Sequence, residues 1–211
     1  MSYNKNSLSG DLLRRFRGCA MLSGLAVGAQ APARLTAQTG STRSPTGFTF
    51  GVGVGLGRVT LRALPTRPAV SGLDLALGWH LGYQTTPRLA VQLTGSASVY
   101  QYAGSGRRRK RSFESLMPTI EYRVADRVRL SAGGGLQLDA PAFYDVRPSN
   151  AGETHFSRGL GAMFGLSYAV GGTGRLEKEV SARFGAGFAN TPDGREVGSS
   201  TAVLIGVRRS P

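Results

Sequence analysis

Leu73-Asp74-Leu75-Ala76-Leu77-Gly78-Trp79-His80-Leu81-Gly82-Tyr83 alternates without a break between large apolar residues and small or polar ones. Successive side chains of a β-strand point to opposite faces, so this stretch is a strand with one greasy face and one narrow, polar face. Helical spacing of apolar residues is almost absent after Arg34, whereas the same alternation keeps returning.

Working outward, Phe48, Phe50, Val52, Val54 and Leu56 oppose a face of glycines in a strand near Phe48–Arg62. The apolar parity then shifts to Val59 and Leu61, which predicts a bulge near Gly57. Further strands are expected at about Arg88–Tyr100, Phe113–Val124, Arg127–Leu138, Arg158–Val170, Arg175–Phe188 and Gly198–Arg208, about eight in all. Pro118 has no N–H to give to a sheet and predicts a local distortion in the fourth strand.

The connections alternate in length. Gln84–Pro87, Ala125–Asp126 and Gly171–Gly174 read as tight turns, and Leu64–Ser71, Ala103–Ser112, Asp139–Ser157 and Ala189–Val197 as longer loops. Tyr83, Tyr122 and Tyr168 fall on the apolar parity of three different strands, each a few residues from a short turn. Amphipathic rings favour a membrane–water interface, so the three tyrosines predict an aromatic girdle at one end of a barrel.

The bulk of each face decides where such a barrel lives. Eight strands enclose only a narrow interior, which suits small and charged residues, while leucine, valine and aromatic rows suit lipid outside. Asp74, His80, Gln92, Glu121, Arg123, Arg129, Gln137, Glu177, Glu179 and Arg183 share the small, polar parity and are expected to form a packed polar network in the lumen. The fold class is therefore all-β, a closed antiparallel up-and-down transmembrane β-barrel with short turns on one side and longer loops on the other. The alternative is a soluble lipocalin-like carrier, whose apolar residues would face inward around a ligand.

On these strands, on the turn Gly82-Tyr83-Gln84-Thr85-Thr86-Pro87-Arg88-Leu89 and on the tyrosine placement, residues 48–208 resemble the small bacterial outer-membrane barrels of the OmpA and OmpX transmembrane-domain type. The resemblance implies periplasmic termini, extracellular loops and insertion by the barrel-assembly machinery, and a monomer surrounded by outer-membrane lipid is expected. Such barrels commonly close on a terminal aromatic residue, whereas this chain ends Val203-Leu204-Ile205-Gly206-Val207-Arg208-Arg209-Ser210-Pro211.

The first residues read differently. Lys5, Arg14, Arg15 and Arg17 precede the mildly apolar run Gly18–Val27, and Ala31-Pro32-Ala33 has the small-x-small form of a leader cleavage site. A signal peptide over 1–33, a short periplasmic segment over 34–47 and a barrel over 48–211 are expected. Cys19, the single cysteine, lies in the leader, so the mature chain would hold no disulfide. No apolar run approaches the ~18 residues of a membrane-spanning helix.

The net charge of +14 over 211 residues raises anionic partners. Its densest run, Arg107-Arg108-Arg109-Lys110-Arg111, is expected in an extracellular loop, where phosphates of lipopolysaccharide or another anionic envelope polymer can accept charge-assisted hydrogen bonds. No aromatic residues interleave with it, which argues against nucleic acid. The glycines from Gly51 to Gly57 are spaced by two with no helix after them, so they are no dinucleotide fingerprint. No Cys or His pairing suggests a metal, and no cofactor is expected. His155-Phe156-Ser157 faintly resembles the His-x-Ser of outer-membrane lipid A deacylases, but Arg158 stands where those have asparagine. A non-enzymatic envelope-structural or loop-binding barrel is the expected function, with a lipid hydrolase or the soluble carrier as alternatives.

Overall fold

The structure, a computed structural model, describes residues 46–63, 69–104, 107–144, 156–191 and 194–211. The proposed leader, Cys19, His155 and most of the 34–47 segment lie outside the described residues. Among the described residues eight strands run β1 (Gly47–Leu61), β2 (Val70–Gln84), β3 (Leu89–Gly104), β4 (Arg107–Ala125), β5 (Val128–Pro141), β6 (Ser157–Thr173), β7 (Leu176–Thr191) and β8 (Gly194–Arg209). Each pairs antiparallel with its sequence neighbour, and β1 pairs with β8 from Phe50↔Arg209 to Leu61↔Gly198, which closes the ring. Closure leaves no strand edge to be satisfied by water, the condition a sheet must meet in hydrocarbon.

The alternation seen in the sequence is the alternation of the wall. In β2, Leu73, Leu77, Trp79, Leu81 and Tyr83 face outward and exposed, while Ala76, Gly78, His80 and Gln84 are buried inside. The other strands share this parity, so most bulky apolar residues form the outer surface and the small, polar and charged ones most of the interior, with Met117, Met163 and Leu204 among the inward apolar exceptions. A soluble carrier of an apolar ligand needs the reverse arrangement, and that reading is overturned.

Two strand details differ from expectation. β1 carries no bulge at Gly57, because its register with β2 and β8 runs unbroken past that residue. Val59 and Leu61 instead keep the inward parity and join Tyr100 and Phe113 in a small apolar cluster at the lumen mouth. Pro118 pairs with Leu93 of β3, and on its other side the ladder with β5 skips Met117 and Pro118 without losing register. The bulges lie elsewhere, at Arg123/Ala125 and Ala169/Gly171, beside two of the short turns.

The connections sort to the two ends. Gln84 to Leu89, Ala125 to Val128 and Thr173 to Leu176 are tight turns, the last using Gly174 at a φ of 62°, a left-handed value that glycine adopts without a Cβ clash. At the other end only the connections after β1 and β5 are long. The segments expected as loops at Ala103–Ser112 and Ala189–Val197 are mostly strand, so β3–β4 and β7–β8 form extended hairpins. A barrel strand crosses a bilayer in roughly 9–11 residues, so the 19-residue β4 projects well beyond the membrane. After β5 the chain turns at Ala142–Tyr144, where Phe143 and Tyr144 both take left-handed φ values, and Tyr144 stacks on Phe156.

Candidate functional site: a lumen closed by charge

The interior is held by side-chain bonds, some between neighbouring strands and some across it. Arg208 on β8 donates two hydrogen bonds, of 2.7 and 2.6 Å, to the two carboxylate oxygens of Glu121 on β4. Arg129 of β5 pairs with Glu177 of β7. Arg183 of β7 reaches the backbone carbonyl of Gly95 on β3 at 2.9 Å. Thr94 and Thr119 share a 2.7 Å hydrogen bond, and Gln137 donates to the Glu114 carbonyl. A planar guanidinium offers a fixed fork of donors that matches a carboxylate, so it spans a narrow lumen better than a flexible ammonium. Burying these charges is tolerable because each meets an opposite charge or carbonyl.

Glycine makes room for this set. Gly51 of β1 is flanked by His80 on β2 and Arg208 on β8, and a Cβ at Gly51 would collide with the His80 ring. The glycine period of β1 thus leaves space for larger lumen side chains of neighbouring strands.

Of the residues expected in the lumen, His80, Gln92, Glu121, Arg129, Gln137 and Glu179 are buried, while Arg123, Glu177 and Arg183 keep the inward parity with partial exposure. Asp74 departs from the network. It sits near the mouth and pairs with Lys110 at 3.2 Å. Arg208 was not among the expected residues, although Val203, Ile205 and Val207 set an outward parity that places it inside.

The basic run requires a correction. It lies in β4 and not in a loop, and the inward parity of Met117, Thr119 and Glu121 carries back to Arg111. Arg111 is buried, with Nη2 2.9 Å from Asp139 Oδ2 and Nε 3.1 Å from Oδ1, and Tyr100 donates to the same carboxylate at 2.7 Å. It is therefore a lumen-mouth ion pair and unavailable to an external anion. Lys110 is exposed, and Arg107, Arg108 and Arg109 occupy the start of the strand at the hairpin tip.

Tyr83, Tyr122 and Tyr168 all face outward at the short-turn end, pairing with or adjoining Phe48, Leu89 and Val128 in the ladders. Phe48 packs edge-on against Tyr83 with ring centroids 5.6 Å apart. Ser157 is buried on the inner face of β6, opposite Asp139. Among the described residues no group of three or more His, Cys, Asp or Glu side chains is arranged to hold a metal ion.

A family model described as the outer membrane protein beta-barrel domain matches residues 18–207. Among solved structures the chain is similar to Neisserial surface protein A, with 18% identity over 77% of this chain and 97% of that one and a TM-score of 0.47. It is similar to Ail, the attachment invasion locus protein of Yersinia pestis, with 13% identity, coverage of 77% and 98%, and a TM-score of 0.46. The outer membrane protein OprG from Pseudomonas aeruginosa gives 12% identity, coverage of 80% and 98%, and a TM-score of 0.44. No curated protein matches the chain.

Proposed function

The chain belongs to the outer membrane protein beta-barrel domain family, a resident of the bacterial outer membrane, and from that premise we propose that it is a non-enzymatic barrel acting through its outside. The observation that carries this reading is the Arg208–Glu121 pair, which joins opposite walls across the lumen and fills the path a solute would need. What remains for binding is the projecting β3–β4 hairpin, with Arg107, Arg108, Arg109 and Lys110 at its end. Phosphates of lipopolysaccharide or a similar anionic envelope polymer are its partner, through charge-assisted hydrogen bonds. Short turns of such barrels are periplasmic, and on that reading Tyr83, Tyr122 and Tyr168 serve as the periplasmic interface girdle and the hairpin lies outside the cell. The barrel works as a monomer after a leader over 1–33 is removed and the assembly machinery inserts it.

The hydrolase reading is the weaker one because Ser157 faces the closed interior, whereas a membrane lipid ester lies against the outer wall. The test replaces Arg107, Arg108, Arg109 and Lys110 with glutamine. The variant should fold, shown by a heat-dependent shift on a denaturing gel, and lose binding to lipopolysaccharide-containing bilayers. Lipid A acylation should be the same with and without the protein.

A further inference from the structure

The outer wall at the short-turn end carries cations on one side without carboxylate partners. Leu176 of β7 pairs with Arg209 of β8, and Lys178 pairs with Val207, so Lys178 and Arg209 are diagonal neighbours on the outward face. Arg175, in the turn just before β7, is held beside them by a hydrogen bond from the Ser210 N–H to its carbonyl at 2.9 Å. All three are exposed, and none is paired with a carboxylate among the described residues. The nearby acids, Glu177 and Glu179, have the inward parity and belong to the lumen.

Two of these cations border a cleft, with Lys178 diagonally beside Arg209 on the wall. Arg175 and Arg209 line a concavity of about 590 Å³ together with Phe48, Phe50 and Pro211. Phe50 is the register partner of Arg209, and beyond it the exposed residues Val52, Val54 and Leu56 continue the apolar wall. The cleft therefore has a cationic end at the barrel rim and an apolar floor leading into the hydrocarbon level. Guanidinium groups bind phosphate oxygens in a forked geometry, and long cationic side chains at a membrane edge extend toward the headgroups while their stems stay on apolar surface.

We propose that this cleft is a binding site for an anionic phospholipid, with Arg175, Lys178 and Arg209 on its phosphate and Phe48 and Phe50 against the start of its acyl chain. The apolar floor selects a lipid over free phosphate, because an inorganic ion would leave both phenylalanines uncovered. The inference rests on the outward-facing apolar wall and is independent of the hairpin's ligand.

The experiment uses the folded barrel in nanodiscs of equal phosphatidylcholine and phosphatidylglycerol, with co-released lipid identified by native mass spectrometry. Both leaflets have the same composition, so the result does not depend on which end faces the periplasm. The wild type should retain phosphatidylglycerol over phosphatidylcholine by about tenfold, from cations acting at an anionic surface. Arg175→Gln/Lys178→Gln/Arg209→Gln should abolish the preference, the double variant Arg175→Lys/Arg209→Lys should keep most of it, and Arg58→Gln at the far rim should not change it. A heat-dependent gel shift checks that each variant is folded. Equal retention of both lipids by the wild type, an unchanged preference in the triple glutamine variant, or loss of the preference on adding millimolar inorganic phosphate would overturn the proposal.

Discussion

Arg208 and Glu121 stand on strands four places apart in a ring of eight, as far from each other as the barrel allows, and meet in its middle with Nη1 and Nη2 of the guanidinium each on one carboxylate oxygen. The pair ties β8, the last strand, to β4 by a route other than the backbone ladder. A bond of this kind resists ovalisation of the barrel and stops the lumen.

Removing one member should cost more than removing both. Glu121→Leu leaves the Arg208 guanidinium buried without its hydrogen-bonded carboxylate, an expected loss of about 3–5 kcal/mol. The double variant Glu121→Leu/Arg208→Met should recover much of that loss. Urea-driven unfolding from vesicles measures both, and equal destabilisation of the single and double variants would remove the pair from the account.

Gly78 is a packing site. A Cβ there would lie 2.5 Å from Arg183 Nη1 and 2.6 Å from Leu204 Cδ1, so Gly78→Ala should displace the arginine from the Gly95 carbonyl. The expected cost is about 1–3 kcal/mol, the range for overpacking a filled interior. Gly72, on the same strand with nothing near its Cβ position, should accept alanine with little change in the same unfolding assay.

Tyr144 should report on the turn after β5. Its hydroxyl donates to Glu114 at 2.7 Å, and that hydrogen bond, with smaller contributions from burial and the carboxylate charge, raises the phenol above its ordinary 10.0. Because the folded value lies above the unfolded one, the stabilisation is whole below about pH 10 and is lost as pH rises through the folded value. Absorbance titration of wild type minus Tyr144→Phe should show a late-ionising phenol that returns to the ordinary range in Glu114→Gln.

The strands were legible in the sequence because the lumen admits only small or paired side chains and lipid favours only bulky apolar ones, so each residue states its face. Where the alternation blurs, the faces are no longer legible. Val59 and Leu61 looked like a register change because apolar side chains also cap the lumen mouth, where Tyr100 and Phe113 meet them. Arg111 looked like loop because five consecutive cations hide a two-residue period, and its partner Asp139 is distant in sequence. Arg208 could have been assigned to the lumen from the parity of Val203, Ile205 and Val207. Its pairing with Glu121 could not, because no local pattern says which residues face each other across a barrel.

The proposed sidedness is tested from outside the cell. Protease or a bulky amine reagent added to intact cells should reach the Arg107–Arg111 segment and leave the Gln84–Pro87 turn untouched. Modification of the turn with protection of the hairpin would reverse the orientation.

That the apolar face of this barrel is its lipid face is tested at two neighbouring residues of β2. Leu77 is 39% exposed on the outer wall, and Ala76 is fully buried inside. Leu77→Arg should lower stability in bilayers by about 2–4 kcal/mol if it lies near the midplane. The deciding measurement places a fluorescent probe at position 77 or 76 and adds quenchers carried on acyl chains: the probe at 77 should be quenched strongly and the probe at 76 weakly. Stronger quenching at 76 would contradict the account.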